Sequence, residues 1–229
     1  MDRRYICLIP ARAGSKRIKN KNINILGKKP LIKHSIDFAL ELFDRENIYV
    51  STDSDKAQEI ALDLGVNLHR RSAEFAKDDS SMIETTLNFL ENENISNDKV
   101  LVLLQPTSPF RNKDFFIRLI NLFERSKDAT SAISILRCTF FHPSKIGKIG
   151  EDNYFNRIQN IPREKNVDNH KKIPYYVISG TYYVVRVSEL RKTKSFTGVN
   201  PVALPEDPTR FCNIDNPFDF ELAKYLIDI

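Results

Sequence analysis

The chain has 229 residues, 41% hydrophobic and 28% charged, which is enough to bury a core in one large domain and too apolar for wholesale disorder. No apolar run approaches the ~18 residues of a membrane span, and the apolar stretch after Met1-Asp2-Arg3-Arg4 is too short for a signal peptide, so a cytoplasmic address is expected. The formal net charge is +5, but residues 3–36 hold ten basic side chains and no acidic one, leaving 25 basic against 30 acidic elsewhere.

The predicted elements alternate. Residues 5–9 read as a short buried strand ended by Pro10, and 16–29, rich in Asn and with Gly27, as loop. Residues 31–43 have helical apolar spacing, and 48–51 form a second strand. Thr52-Asp53-Ser54 caps a helix running to Leu64, which Gly65 stops. A strand at 66–68, a helix at 82–92, a strand at 100–104, a helix at 114–125 and a strand at 131–136 follow. This rhythm predicts an α/β fold with a doubly wound, mostly parallel sheet. It breaks after residue 138, where 145–149 and 154–158 flank Gly150-Glu151-Asp152-Asn153 as a hairpin. The rhythm resumes at 175–187, and Asn216-Pro217 starts a last helix, 217–228. Residues 139–174 are therefore expected to be an arm inserted into a single domain spanning 1–229.

The local basic surplus marks where a polyanion should sit, unless it is only a solvated face. An RNA-binding module would interleave aromatics with the charge. Residues 6–37 contain none, so neither nucleic acid nor a membrane is expected as a partner. Cys7, Cys138 and Cys212 lie far apart without Cys-x-x-Cys spacing, against a disulfide framework or structural zinc. His34 and His69 lack a second ligand at metal spacing, and His142 before Pro143 reads as structural.

Directly after the first strand comes Ile9-Pro10-Ala11-Arg12-Ala13-Gly14-Ser15-Lys16-Arg17, continuing to Lys21-Asn22. Ligands of open α/β sheets bind beyond the carboxyl ends of strands. Gly14 permits close backbone approach, successive N–H groups can form an anion nest, Arg12 offers a planar fork, and Lys16 and Lys21 offer point charges. No Gly-Lys-Ser/Thr ends the loop, so it is not a Walker A motif, and it lacks the Gly-x-Gly-x-x-Gly fingerprint.

This segment resembles the signature of the acylneuraminate cytidylyltransferases, the CMP-sialic acid synthetases and their bacterial nonulosonate relatives. Three further segments agree in order: Val50-Ser51-Thr52-Asp53, Arg71-Ser72-Ala73-Glu74-Phe75-Ala76-Lys77-Asp78, and Leu103-Leu104-Gln105-Pro106-Thr107-Ser108-Pro109-Phe110-Arg111. Ile214-Asp215 resembles the family's acidic end, and the likeness spans about residues 5–225. The resemblance implies a Rossmann-like nucleotidyltransferase with a dimerisation arm, working as a homodimer. It implies transfer of CMP from CTP to an acidic nine-carbon keto sugar, with Mg²⁺ as cofactor, for surface-glycan synthesis. By position, Arg12, Lys16, Lys21 and Asp215 would be catalytic. Arg12, Ala13, Gly14, Ser15, Lys21, Asn22, Arg71, Ser80 and Ser81 would bind nucleotide. Gln105, Thr107, Ser108, Tyr176, Ser179 and Phe196 would meet the sugar, with Lys145 and Arg163 of the arm reaching it in trans. Asp215, with Asn213, would hold the metal.

Four departures from the pattern stand out. Asn213 replaces a usual Asp, Met82 a common Ser, and Tyr176-Val177-Ile178-Ser179-Gly180 lacks an Arg and an Asn usual beside the sugar. Phe196 and the last strand align loosely. The first two departures bear on metal coordination, and the other two fit a legionaminic-, pseudaminic- or aminated octulosonic-type acid. A KDO-type cytidylyltransferase is the near alternative, and a catalytically degenerate nucleotide-binding protein the alternative of another class.

Overall fold

The structure, a computed structural model, describes all residues except 73, 76–79, 139–142, 144, 145, 152, 158–173, 228 and 229. The hairpin expectation between 145 and 158 is met in its described part, with strands at Gly147–Ile149 and Phe155–Arg157. Lys145, Arg163 and His142 lie outside the described residues.

A seven-stranded sheet organises the chain. Its strands are β1 (Tyr5–Pro10), β4 (Ile48–Thr52), β5 (Asn67–Arg70), β6 (Val100–Leu103), β7 (Ser131–Arg137), β10 (Tyr176–Arg186) and β11 (Pro201–Pro205), in the order β11-β7-β10-β6-β1-β4-β5. The two short hairpins outside it are β2 (Ile25–Leu26) with β3 (Lys29–Pro30), and β8 (Gly147–Ile149) with β9 (Phe155–Arg157). Every pairing in the large sheet is parallel except those of β10, which runs antiparallel to both β6 and β7.

The helices are α1 (Leu31–Leu40), α2 (Asp55–Asp63), α3 (Met82–Asn92), α4 (Lys113–Arg125), α5 (Val187–Thr193) and α6 (Pro217–Ile227). Period-two alternation sorts the central strands onto two faces. Tyr5, Cys7 and Ile9 of β1, with Val100, Val102 and Leu104, face a core built on α1, α2 and α4. Ile6, Leu8, Leu101 and Leu103 face a second core with Phe89 and Leu90 of α3 and Val187 and Leu190 of α5. Both faces are covered, so these strands are apolar throughout, as parallel strands must be.

Local chemistry sets the helix ends. Ser54 caps α2 by accepting from the Ala57 N–H, Ser81 caps α3 from Ile83, and Asn112 caps α4 from Phe115. The Asn216 side chain accepts from the Asp219 N–H at 3.1 Å, at the start of α6. Gly65 ends the α2 segment at φ +67°.

Three expectations need correction. Residues 16–29 are not all loop: they hold a 3-10 turn at Lys21–Ile23 and enter the β2–β3 hairpin. Two-residue strands carry no readable periodicity. The strand expected at 66–68 sits at Asn67–Arg70, and the stretch 175–187 gives up Val187 to α5.

Candidate active site

The carboxyl ends of β4, β1 and β6 converge. The Ala11 N–H donates to Ser51 O at 2.8 Å, Thr52 Oγ1 donates to Ala11 O at 2.6 Å, and the Leu104 N–H donates to Leu8 O at 3.0 Å. The basic loop leaves β1 at this edge, in the crevice where doubly wound sheets take ligands. Ala13, Gly14, Lys16 and Arg17 are exposed; Arg12, Ser15, Lys21 and Asn22 are half-buried. Asn22 Nδ2 donates to Arg12 O at 2.9 Å, folding the loop back on itself. A Cβ on Gly14 would meet nothing within 4 Å, so the free fold does not need that glycine.

Lys21 is anchored at two points. Its side chain is 14% exposed, and Nζ donates to Ile214 O at 2.8 Å and lies 4.0 Å from Asp215 Oδ1. Burial pulls its pKa down, Asp215 pulls it up, and Arg12 and Arg17 push it down again. Arg71 is buried, donating to Ser51 Oγ at 3.4 Å and Ser51 O at 3.3 Å. Its pKa is lowered by burial, supported by Asp53 and opposed by Arg12. Arg12 thus opposes the charge on both Lys21 and Arg71, while burial is the larger cause of each lowered pKa.

Asp53, quoted in the sequence motif without a role, accepts the Ala13 N–H at 2.7 Å. A carboxylate therefore occupies one donor of the loop backbone. At the nucleotide edge, Ser80 Oγ donates to Glu74 O at 3.0 Å, while Ser81 caps α3. Met82 is the first residue of α3 and packs on the second core.

The backbone of Ile214 joins the parts. Its N–H donates to Thr107 O at 2.8 Å and its carbonyl accepts from Lys21. The basic loop, the Gln105–Arg111 turn and Asp215 therefore meet at one fully buried residue. Within that turn, the Ser108 N–H donates to Gln105 O at 3.1 Å, while the Ser108 hydroxyl is buried without a partner among the described residues. Arg111, which ends the motif, is half-buried and donates to Gln105 O at 2.7 Å, Ser35 Oγ at 2.8 Å and Thr181 O at 3.3 Å. Burial brings its pKa down to about 10. Sequence reasoning gave Arg111 no role, although its place at the end of a quoted motif was the available signal.

The other sugar candidates separate. Ser179 is buried, with Oγ 2.6 Å from Ser134 Oγ. Tyr176 is exposed at the start of β10. Phe196 lies against Tyr183 at 5.6 Å on the α3–α5 face.

Among the described residues no group of three or more His, Cys, Asp or Glu gathers. Asp215 is 51% exposed, with Oδ2 accepting from Asn213 Nδ2 at 2.8 Å. Asp219 accepts the N–H groups of Asp215 and Asn216, at 2.8 and 2.9 Å, and so braces the segment. One carboxylate beside one amide oxygen suits magnesium only when phosphate oxygens and water complete the shell. The donors fit a site shared with a nucleotide, in which Asn213 steadies Asp215.

These features define a nucleotidyltransferase-type crevice. A cytidylyltransferase family model matches residues 6–139, and the chain belongs to that family. It is 31% identical to a CMP-N,N'-diacetyllegionaminic acid synthase of Legionella pneumophila, over 99% of this chain and 97% of the relative. It is 32% identical to an N-acylneuraminate cytidylyltransferase of Streptococcus agalactiae over 83% of this chain, spanning only 45% of that relative's length. Among solved structures, a CMP:2-keto-3-deoxy-manno-octonic acid synthetase complexed with CTP superimposes with a TM-score of 0.71 over 98% of both chains, at 16% identity. That likeness supports the Rossmann-like, mostly parallel fold. Among the described residues no helix is long and apolar enough to cross a membrane.

Proposed function

We propose that the chain is a magnesium-dependent cytidylyltransferase that joins CMP from CTP to the anomeric hydroxyl of a nonulosonic, sialic-type acid. The observation that carries this reading is the Ile214 junction, which ties Lys21, Thr107 and Asp215 together. It brings a buried cation, the Gln105 turn and a carboxylate to one point, which supports a shared phosphate, sugar and metal site. The relatives named above fit the same reading, the Legionella pneumophila synthase over nearly its whole length.

In this mechanism Arg12, Ser15, Lys16 and Lys21 hold the triphosphate, with Gly14 letting the backbone approach it. Asn22, Arg71 and the Ser80-Ser81 segment hold ribose and cytosine. Gln105, Thr107, Ser108, Tyr176 and Ser179 line the sugar half-site. Asp215, steadied by Asn213, would hold Mg²⁺, which supplies charge neutralisation on the triphosphate. The sugar hydroxyl oxygen forms a bond to the α-phosphorus. The bond from that phosphorus to its bridging oxygen breaks, and pyrophosphate leaves with the electron pair. The hydroxyl proton passes to water. Such transfer depends on positioning and charge neutralisation rather than on protein covalent chemistry. Residues 139–174 are read as the arm of a homodimer, and the reaction as cytoplasmic and serving surface-glycan synthesis.

The test mixes the protein with CTP, Mg²⁺ and a panel of nonulosonic acids plus KDO, and measures pyrophosphate. Release with a nonulosonic acid supports the proposal. Release with KDO alone overturns the sugar class. CTP binding without release from any sugar favours a degenerate nucleotide-binding protein.

A further inference from the structure

Strand β10 does not run evenly along its neighbour. Ile178 pairs with Ile135 and Tyr183 with Ile133, so five steps along β10 match two along β7. The surplus forms an arch over 179–182, with Gly180 at φ +81°, a conformation glycine takes readily. The arch lies on the side of the sheet where β6 and β7 end, next to the Gln105 turn.

Side chains replace the missing ladder bonds. Ser134 Oγ accepts the Tyr182 N–H at 3.1 Å and contacts Ser179 Oγ at 2.6 Å. Thr181 Oγ1 donates to Glu206 Oε1 at 2.8 Å. Arg111 reaches Thr181 O with Nε and Gln105 O with a terminal nitrogen, so one guanidinium spans the arch and the turn. Glu206 follows β11 directly, its own N–H donating to Ile135 O at 2.9 Å, and its side chain is half-buried against this cluster.

We propose that Glu206 is a positioning residue of the sugar half-site: its carboxyl fixes Thr181 and thereby holds the arch, and through Arg111 the Gln105 turn, in the conformation that receives the sugar. The inference rests on the sugar half-site proposed above. A carboxyl at this place is not needed to complete the sheet, because β11 pairs with β7 through its backbone. Its side chain bonds Thr181 and also interacts with Ser179, both of the arch. The residue acts through Thr181 and touches no substrate in this scheme.

The test uses the full chain with Glu206→Ala, Glu206→Gln, Thr181→Val and the Glu206→Ala/Thr181→Val pair. Two readouts are taken: KM for sugar and for CTP, and amide hydrogen exchange across 179–182. Glu206→Ala should raise sugar KM by about tenfold while CTP KM stays within about twofold. It should speed exchange at Thr181 and Tyr182, and Glu206→Gln, which keeps an acceptor oxygen, should restore both readouts. Thr181→Val should reproduce the effect, and the pair should be no worse than either alone. Equal losses in both KM values, a glutamine variant behaving like alanine, or additive singles would each overturn the proposal. Should the unaltered protein turn over no sugar, the proposed function fails. Exchange then decides the positioning role by itself, and unchanged protection in Glu206→Ala ends it.

Discussion

Lys21→Met removes one charge and keeps most of the stem. In the free protein Lys21 is bound to the Ile214 carbonyl and sits 4.0 Å from Asp215, yet burial and two arginines hold its pKa below the usual 10.5. A depressed lysine pKa means that folding disfavours the charged form, and at pH 7–8 that cost is fully present, being relieved only as pH rises past the native pKa. The methionine variant escapes the cost but leaves the Ile214 carbonyl without its donor, a loss of about 1 kcal/mol. The opposing effects should keep the free protein's melting temperature within about 5 °C of the parent. Nucleotide binding should respond quite differently. A hydrogen bond to a charged group contributes about 1.5–3 kcal/mol, and about 1.4 kcal/mol is tenfold, so CTP should bind roughly 10–150-fold more weakly. At a CTP concentration 100 times the parent's Kd, ligand stabilisation is about 2.7 kcal/mol and would drop to about 1.4 kcal/mol for a tenfold loss. Titration calorimetry with CTP and Mg²⁺, paired with thermal melts, measures both. CTP affinity within twofold of the parent would refute the cradle assignment.

Gly14→Ala tests the same loop from the opposite side. With nothing within 4 Å of the added Cβ, free stability should change by no more than about 0.5 kcal/mol, whereas CTP affinity should fall by about tenfold if phosphates lie against that backbone; a lost melting temperature with intact affinity would contradict this. Asp215→Asn at a half-exposed site should cost less than about 0.5 kcal/mol of stability while pyrophosphate release falls by orders of magnitude and excess Mg²⁺ fails to restore it; near-parental turnover would remove Asp215 from the metal site. Burial raises the Glu206 pKa above 4.5, against the pull of Ser179, Thr181 and Arg111. The stability that its neutral form contributes is complete below pH 4.5 and lost as pH rises through the native pKa. Glu206→Gln should therefore melt with the parent near pH 4 and above it at pH 7, and a difference that ignores pH would refute the sign.

The parts of the fold legible in sequence were those written in side-chain periodicity and caps. β1 and β6 are apolar at every position because helices cover both faces, and Ser54 and Asn216 mark helix starts by their own oxygens. The β2–β3 hairpin was illegible for the converse reason. Its glycine, Gly27, takes φ +63° where an added Cβ would meet Ile227 at 2.8 Å, a contact with the last helix that no local window contains. The arch at 179–182 was hidden because Tyr-Val-Ile-Ser-Gly-Thr-Tyr-Tyr-Val-Val reads as one β run, and only pairing with β7 exposes the surplus residues.

The site divides along the same line. Arg12, Lys21 and Asp215 could be named from sequence because charge and motif are side-chain properties. The junction of Lys21, Thr107 and Asp215 could not, since Ile214 makes it with its N–H and carbonyl, and a backbone junction leaves no residue-type signature. Arg111 and Glu206 escaped notice because each works on neutral atoms of a neighbouring loop rather than on a charge of opposite sign. The two kinds of residue carry different energetic burdens. The loop cations repel one another in the free state and gain from an anion, so their substitution should be read in ligand affinity. Arg111, by contrast, ties Gln105 O, Thr181 O and Ser35 Oγ together inside the fold, so its removal should be read first in folding. An affinity scan alone would find the first set and misjudge the second, whereas melts taken with and without CTP separate them.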